Sequence, residues 1–573
     1  MKQRFPLPAM LAATCVLLSA CHGKGVAETG EIRTSGIPWS GAGAYLASRL
    51  AESQGDWHEA ATLLPLARKF NPDDPSLVFA QMIAELHNNQ FPSAVSLARE
   101  LRKAGSEKAM VDLVLMADAA MHDRWNDAQA SLTALARQGG DNRYIVPLLK
   151  AWVQAGAKDI KAARATLADA MGLQGFGAVV MIHRAVMAPF LHEDPAKIEP
   201  EYLAALQAQP EVQPRWVELY TDYLARNGEA ARARDLLGKL AQQEGQDTQS
   251  SVIAQLLLNL DKKRATAPIA TPREGLAQAL YDLSWLFAQQ NLRSDAELFG
   301  LTAVSLDPKL DVAKLLLGDL ARTESKDALA EQYYREIPRG SPYYAITQLS
   351  LAATLERDGR TPAAIDLLKE IAAETPRSSD APSLLGDMMR NDKRFDEAIA
   401  AYSDAIARVG SSPSRRDWRL FYNRGTCFER SHRWPEAEKD FLTALQLMPD
   451  EPYVLNYLAY SWTERKQNLD KALGMLEKAV ALRPEEGFIV DSLGWVYLQM
   501  GHVEKAVPLL ERAVQLAPAD ATLNDHLGDA YWRAGRKNEA RFQWQRALIS
   551  NPEPDQVAPI TAKLKNGLAK NGG

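Results

Sequence analysis

The 573-residue chain is poor in cysteine: it has only Cys15, Cys21 and Cys427, and no two of them form a CxxC pair. That excludes a disulfide framework and removes the usual nucleus of a zinc or redox site. Positive charge is not in excess either. Lys and Arg number 66 against 72 Asp and Glu, a formal charge of -6, whereas a nucleic-acid binder normally carries a basic surplus. Beyond the N-terminus no run of eighteen apolar residues occurs; the nearest approach, residues 176–191, contains His183 and Arg184, so no membrane-spanning helix is expected. Neither a GxSxG elbow nor a phosphate-binding GxxxxGK loop is found. What is present is ordinary: 46% hydrophobic and 24% charged residues permit a large core and exclude wholesale disorder. Length alone predicts about four domains.

The N-terminus reads as an address. Lys2 and Arg4 precede a mostly apolar run from Leu7 to Ala20, too short to span a bilayer and shaped like a secretory signal. The run ends Leu18-Ser19-Ala20-Cys21, which resembles the lipobox of bacterial lipoproteins. The resemblance implies cleavage after residue 20, lipidation of Cys21 and a lipid-anchored chain; His22 in place of aspartate implies the outer membrane, facing the periplasm. More than one acyl chain anchors a protein durably. Loss of Lys2 and Arg4 with the signal moves the formal charge from -6 to -8. Residues 21–40, with Gly, Ser and Thr and little periodicity, are expected to be a tether.

The remainder repeats. Leu493-Gly494 is followed by Tyr497, Ala506, Leu510, Ala513 and Pro518; thirty-four residues later come Leu527-Gly528, Tyr531, Ala540, Trp544, Ala547 and Pro552. Gly425, Phe428, Ala437, Phe441, Ala444 and Pro449 keep the same offsets, and Ala459, Trp462, Ala472, Leu476, Ala479 and Pro484 do so with one insertion. The spacing suits two amphipathic helices folded together, with a small residue where their backbones approach and a proline ending the unit. It resembles the tetratricopeptide repeat. The resemblance implies an all-α, right-handed superhelical solenoid, a stack of units none of which is stable alone. Units starting near 277, 311, 345, 379, 418, 452, 487 and 521 give an eight-repeat array over 277–554, with a capping helix and tail at 555–573. Residues 41–262 read as divergent helical repeats whose register between 143 and 262 the sequence leaves open. Residues 263–276 are expected to be a linker.

Candidates for chemistry are few. His58-Glu59-Ala60-Ala61-Thr62 has a threonine where a zincin helix needs its second histidine. His192-Glu193-Asp194-Pro195 reads as a turn. Cys427 falls inside a repeat helix, where a packed, inert thiol is expected. No catalytic residue, metal or cofactor is expected, and the chain is read as a non-enzymatic binding scaffold.

The resemblance implies that the first helix of each unit faces a groove, where side chains four apart line up. The partner-binding residues expected there are Tyr422, Tyr453, Asn456, Tyr460, Phe488, Asp491, Trp495, Asp525, Asp529, Trp532 and Arg533, beside Thr426, Arg430, Glu464 and Gln499. Mixed aromatic and polar surface suits a peptide, and Asp491, Asp525 and Asp529 favour a neutral or basic one. A second, basic patch is expected at Arg415, Arg416, Arg419 and Arg424, near Trp418, Arg430 and Arg433. Through Asp491-Ser492-Leu493-Gly494-Trp495 and Asn524-Asp525-His526-Leu527-Gly528 the chain is most similar to outer-membrane adaptor lipoproteins that bind periplasmic carboxyl-terminal processing proteases. That implies a protein partner, a periplasmic enzyme or envelope complex, membrane attachment through the N-terminal lipid, and no nucleic acid. The alternative is a structural lipoprotein of an export or assembly machine for pili or polysaccharide.

Overall fold

The computed structural model describes residues 40–568 apart from 140–141, 174, 192–197, 209–212, 243–249 and 262–268. The expected signal, Cys21, the tether up to residue 39, the His192 to Pro195 turn and residues 263–268 lie outside the described residues. Among the described residues there are thirty α-helices and no strand. Six helix pairs run from Gly41 to Gln242, the single helix Ser250–Asp261 follows, eight pairs fill 272–549, and Pro554–Asn566 ends the stack.

Wherever the turn inside a pair lies among the described residues it passes through a left-handed residue, and between Pro452–Glu464 and Leu469–Leu482 through two, Lys466 and Asn468. In the first half these are Gly55, Asn89, Asp123, Lys158 and Gly228; from 291 on they are Asn291, Ser325, Gly359, Lys393, His432, Lys466, Gly501 and Gly535. At Lys158 and Gly228 this backbone feature marks the units within residues 143–262, whose register residue identity left open, because the position takes lysine as well as glycine. Only glycine does so without a steric cost. Where paired helices approach, an absent Cβ matters: a methyl built on Gly386 would stand 2.6 Å from the Tyr402 ring, and one on Gly528 2.5 Å from Trp544.

Successive first helices, such as Pro452–Glu464, Gly487–Gln499 and Ala521–Arg533, touch one another across the intervening second helix. The stack therefore curves with its first helices on the inner wall. Cores are not divided at the expected linker: one continuous cluster runs from Ala51 to Met388, a second from Ile365 to Val496, a third from Val490 to Ile560.

The start of the next helix corrects the linker expectation for residues 272–276, while 263–268 lie outside the described residues. Thr271 caps Pro272–Gln289 in a reciprocal box with Glu274, with Pro272 in the first turn, an arrangement that starts helices. Every residue from Gly275 to Ser284 is buried. This helix lies against the first helices Asn142–Gly156 and Gly177–Met187, while its partner Arg293–Leu306 packs on Ala109–Met121 and Pro75–His87. The inner wall of the first half is thus filled by the chain itself. Composition suggested a spacer through residue 276; from Pro272 on the chain is a helix with a buried face.

Candidate functional site

The filled inner wall is held by a sealed polar network. Trp152 Nε1 donates to His183 Nδ1 at 2.9 Å, so the other ring nitrogen, Nε2, carries the proton and donates to Asp282 Oδ2 at 2.9 Å. Trp216 Nε1 donates to Asp282 Oδ1 (3.0 Å) and Gln278 Nε2 to Oδ2 (3.1 Å). Arg215 Nε reaches Gln278 Oε1 (2.9 Å) and its Nη1 pairs with Glu218 at 2.8 Å, which also accepts from Tyr343 at 2.5 Å. A histidine oriented by a carboxylate suggests a catalytic pair, but His183 and Asp282 are wholly inaccessible, and a base must reach a substrate proton. The network closes the first half.

A second buried cluster lies along the same closure. The His87 ring stacks on Trp57 with centroids 3.6 Å apart, and His87 Nδ1 stands 3.4 Å from Glu297 Oε1. Burial, aided by the Lys326 charge, holds His87 well below its ordinary value; burial pushes the Glu297 carboxyl up to about 7. His58 and Thr62 are exposed on the outside of the same helix while Ala60 is fully buried, so that triplet faces solvent and gathers no ligand set.

The second half differs: its inner wall is open. Tyr453 stacks against Phe488 at 6.0 Å and Phe488 remains 42% exposed. Tyr422 is half-buried among Trp418, Phe441 and Tyr457. Trp495 is 8% exposed, stacked on His526 at 3.9 Å, and donates to Glu464 Oε1 at 2.5 Å; Tyr460 lies 6.3 Å from the same imidazole. Asn456 and Asp491 are buried, and their Oδ1 atoms have no hydrogen-bond partner.

The acidic residues read as an invitation to a basic peptide have partners within the chain. Asp491 Oδ2 lies 2.7 Å from His526 Nδ1. Burial disfavours the charged imidazole, but Asp491, Asp525 and Asp529 outweigh it and raise the His526 pKa. Lys563 of the last helix donates to Asp525 (2.9 and 2.8 Å) and to Asp529 (3.0 Å), and Trp544 also donates to Asp529 at 3.0 Å. Arg533 Nη1 binds the Leu498 carbonyl at 2.9 Å, and Trp532 packs on Trp544 under Lys537. These contacts close the far end of the groove, a closure that depends on a lysine 38 residues away in sequence.

The basic patch does not form one surface. Arg424 is clamped on Asp440 at 2.7 and 2.9 Å, and Arg415 Nε turns to Met448 Sδ at 2.8 Å. Arg416 and Arg419 instead line a concavity of about 430 Å³ with Arg322, Ser251, Ile346, Leu349, Asp380, Ser383, Asp387 and Asp417. Sequence reasoning missed this part of the groove. Counting the same register two and three units further back from Tyr453 and Asn456 leads to Asp380, Ser383 and Ile346, so the signal was there. Cys427 is buried, and burial pushes its thiol up to about 11, which leaves it a poor nucleophile.

Comparison with known proteins agrees with this geometry. The tetratricopeptide repeat family model matches residues 349–414, 389–452 and 492–556, all in the open half. A TPR repeat-containing protein of Pseudomonas aeruginosa is 26% identical over 193 residues, covering 34% of this chain and 32% of that protein. BBSome complex member BBS4 of Mus musculus is 27% identical over 157 residues, 27% and 28% of the two chains. The chain thus spans about a third or less of these relatives. Among solved structures, Cut9 with Hcn1 from the APC/C (14% identity, TM-score 0.37, covering 92% of this chain and 96% of that one) and yeast Tom70 (12%, 0.33, 92% and 95%) are similar. Residues 349–452 and 492–556 thus carry tetratricopeptide repeats, a repeat that typically serves as a protein-binding scaffold.

Proposed function

We propose that the protein is a non-enzymatic adaptor that holds a segment of a partner protein in the open groove of its second half. In this reading it is anchored by a lipid on Cys21 to the outer membrane, and its partner is a periplasmic enzyme of the processing-protease kind. The observation that carries the groove assignment is the contrast between the two inner walls. The first is packed with the chain's own helices; the second leaves Phe488 and Tyr453 accessible, aromatic surface of the kind that protein hot spots use. Peripheral resemblance, at the lipobox and around Trp495 and His526, supports the address and the partner class.

Photo-crosslinking in cells tests the reading. A crosslinker at Phe488 is expected to capture one envelope protein that a crosslinker at Leu442, 42% exposed on a second helix, does not. Equal capture from both positions, or none, defeats it. A captured outer-membrane pore subunit in place of a protease favours the export-machine alternative. Cys21→Ser is expected to release the protein from the membrane fraction; an unchanged location removes the lipid anchor from the proposal. Phe488 and Tyr453 serve better than Trp495 here, since Trp495 is built into the wall and its truncation would disturb the fold.

A further inference from the structure

A stack of repeats has two ends as well as a groove, and a polar outer face on each terminal unit keeps it soluble. The C-terminal end follows this rule: the last helix, Pro554–Asn566, exposes one large apolar side chain, Val557. The N-terminal end breaks it. The first helix, Gly41–Gln54, buries Ala44, Ser48 and Ala51 where it lies against Trp57–Arg68, and leaves Leu46 67%, Leu50 57% and Tyr45 40% exposed. Phe70, 65% exposed, adds a fourth apolar group to the same end. A Cβ on Gly41 would meet the Phe70 Cβ at 2.8 Å, and Tyr45 lies one turn along from Gly41. The other exposed positions of the helix are Ala42, Arg49, Ser53 and Gln54, so this face carries no acid. Glu52 is turned aside to pair with Arg49, and Lys69 is exposed next to Phe70.

Leucine, tyrosine and phenylalanine on the outside of a surface helix, with arginine and lysine beside them, make up a helix that lies in a membrane interface, its apolar side chains sunk about 5 to 10 Å into the boundary between headgroups and acyl chains. Position along the chain favours the same occupant. Residues 22–40 separate Cys21 from Gly41, and a chain of that length reaches at most about 65 Å, so a lipid on Cys21 keeps this end of the stack next to the bilayer. A peptide is gripped by a concave wall. The outside of a terminal helix is a ridge, which suits a planar surface.

Given the lipid anchor on Cys21 proposed above, we infer that Tyr45, Leu46, Leu50 and Phe70 form a membrane-contact surface that seats the N-terminal end of the stack in the lipid interface, with Arg49 and Lys69 at the headgroups. The anchor and the surface act together, the first holding the chain at the membrane and the second setting its orientation there.

Vesicle flotation decides it. The mature chain, residues 21–573 with Cys21→Ser, carries neither signal nor lipid, and with vesicles of phosphatidylethanolamine and phosphatidylglycerol at millimolar lipid it is expected to float in part. Leu46→Asn, Leu50→Asn and Phe70→Asn together should weaken flotation at least tenfold, while Leu442→Asn, on a second helix of the other half, leaves it unchanged. The three positions are exposed, so the melting temperature should hold. Leu46→Asn alone, expected to weaken flotation several-fold, keeps the test valid if the triple variant melts early. The inference is overturned if the parent chain does not float, if the triple variant floats as well as the parent, or if size-exclusion chromatography shows the parent as a dimer that the triple variant dissolves, which would put a second copy on this face. Release of Cys21→Ser from the membrane in cells together with no flotation would leave the anchor standing and defeat only this surface.

Discussion

The two halves build the same inner wall and treat it in opposite ways. Between residues 75 and 226 the first helices close on Pro272–Gln289 and Arg293–Leu306, and at the centre of that closure Trp152, His183, Trp216 and Asp282 satisfy one another without solvent. In the second half the helix Ser250–Asp261 covers the wall only at Tyr344–Arg357 and Asp380, and further on Phe488 stays exposed. An inner wall of stacked helices therefore takes a helix readily when its shape and polar groups match, as Gly275 does beneath the Trp152 ring, which a Cβ would meet at 2.1 Å. The first half shows what a filled wall requires. The second has the same construction, and among the described residues no helix covers Tyr453 and Phe488.

The comparison is broken most directly at Asp282. Asp282→Ala strands three buried donors, which removal of a buried ionic partner makes costly by about 3 to 5 kcal/mol; chemical denaturation should show this loss as early melting of the first half. A loss under about 1 kcal/mol would mean that the network is incidental to closure.

The closure also titrates. Burial raises Glu297 from 4.5 to about 7, so the folded chain holds that proton more tightly than the unfolded chain. Its contribution is therefore present below about pH 4.5 and is lost as pH rises through about 7, by up to roughly 3 kcal/mol. His87, held low, works the other way and loses stability as pH falls below 6.5. Glu297→Gln isolates the carboxyl: between pH 5 and 8 the wild type should lose stability relative to this variant, read from denaturant midpoints. Parallel profiles would place Glu297 in contact with water.

At the open wall the effect on the fold should be smallest. Phe488→Ala, with a half-exposed ring, is expected to cost less than about 1 kcal/mol while abolishing crosslinking of the partner at the neighbouring Tyr453. A cost equal to that of Asp282→Ala would show that the second wall is also part of a closed core.

The repeats from residue 272 onward were legible because a small residue facing a large one, as at Gly386 and Tyr402, is a constraint that few residue types meet. Units between residues 143 and 262 hide because their constant feature is a left-handed turn, which Lys158 fills as well as Gly228. The groove residues from Tyr422 to Trp495 could be named from spacing alone, and so could Asp380 and Ser383 had the register been carried further back. The basic patch could not be judged from adjacency: Arg415, Arg416, Arg419 and Arg424 are neighbours in the chain, yet around a helix they point to Met448, to the concavity and to Asp440.

The sequence by itself determined the repeating unit, since periodic small and large positions dictate how two helices meet within some thirty residues. Tertiary structure alone decided which inner wall is free. Asp282 meets His183 across 99 residues and Lys563 meets Asp525 across 38, and such pairings follow from the curvature accumulated over many units, to which each local sequence contributes only a small rotation.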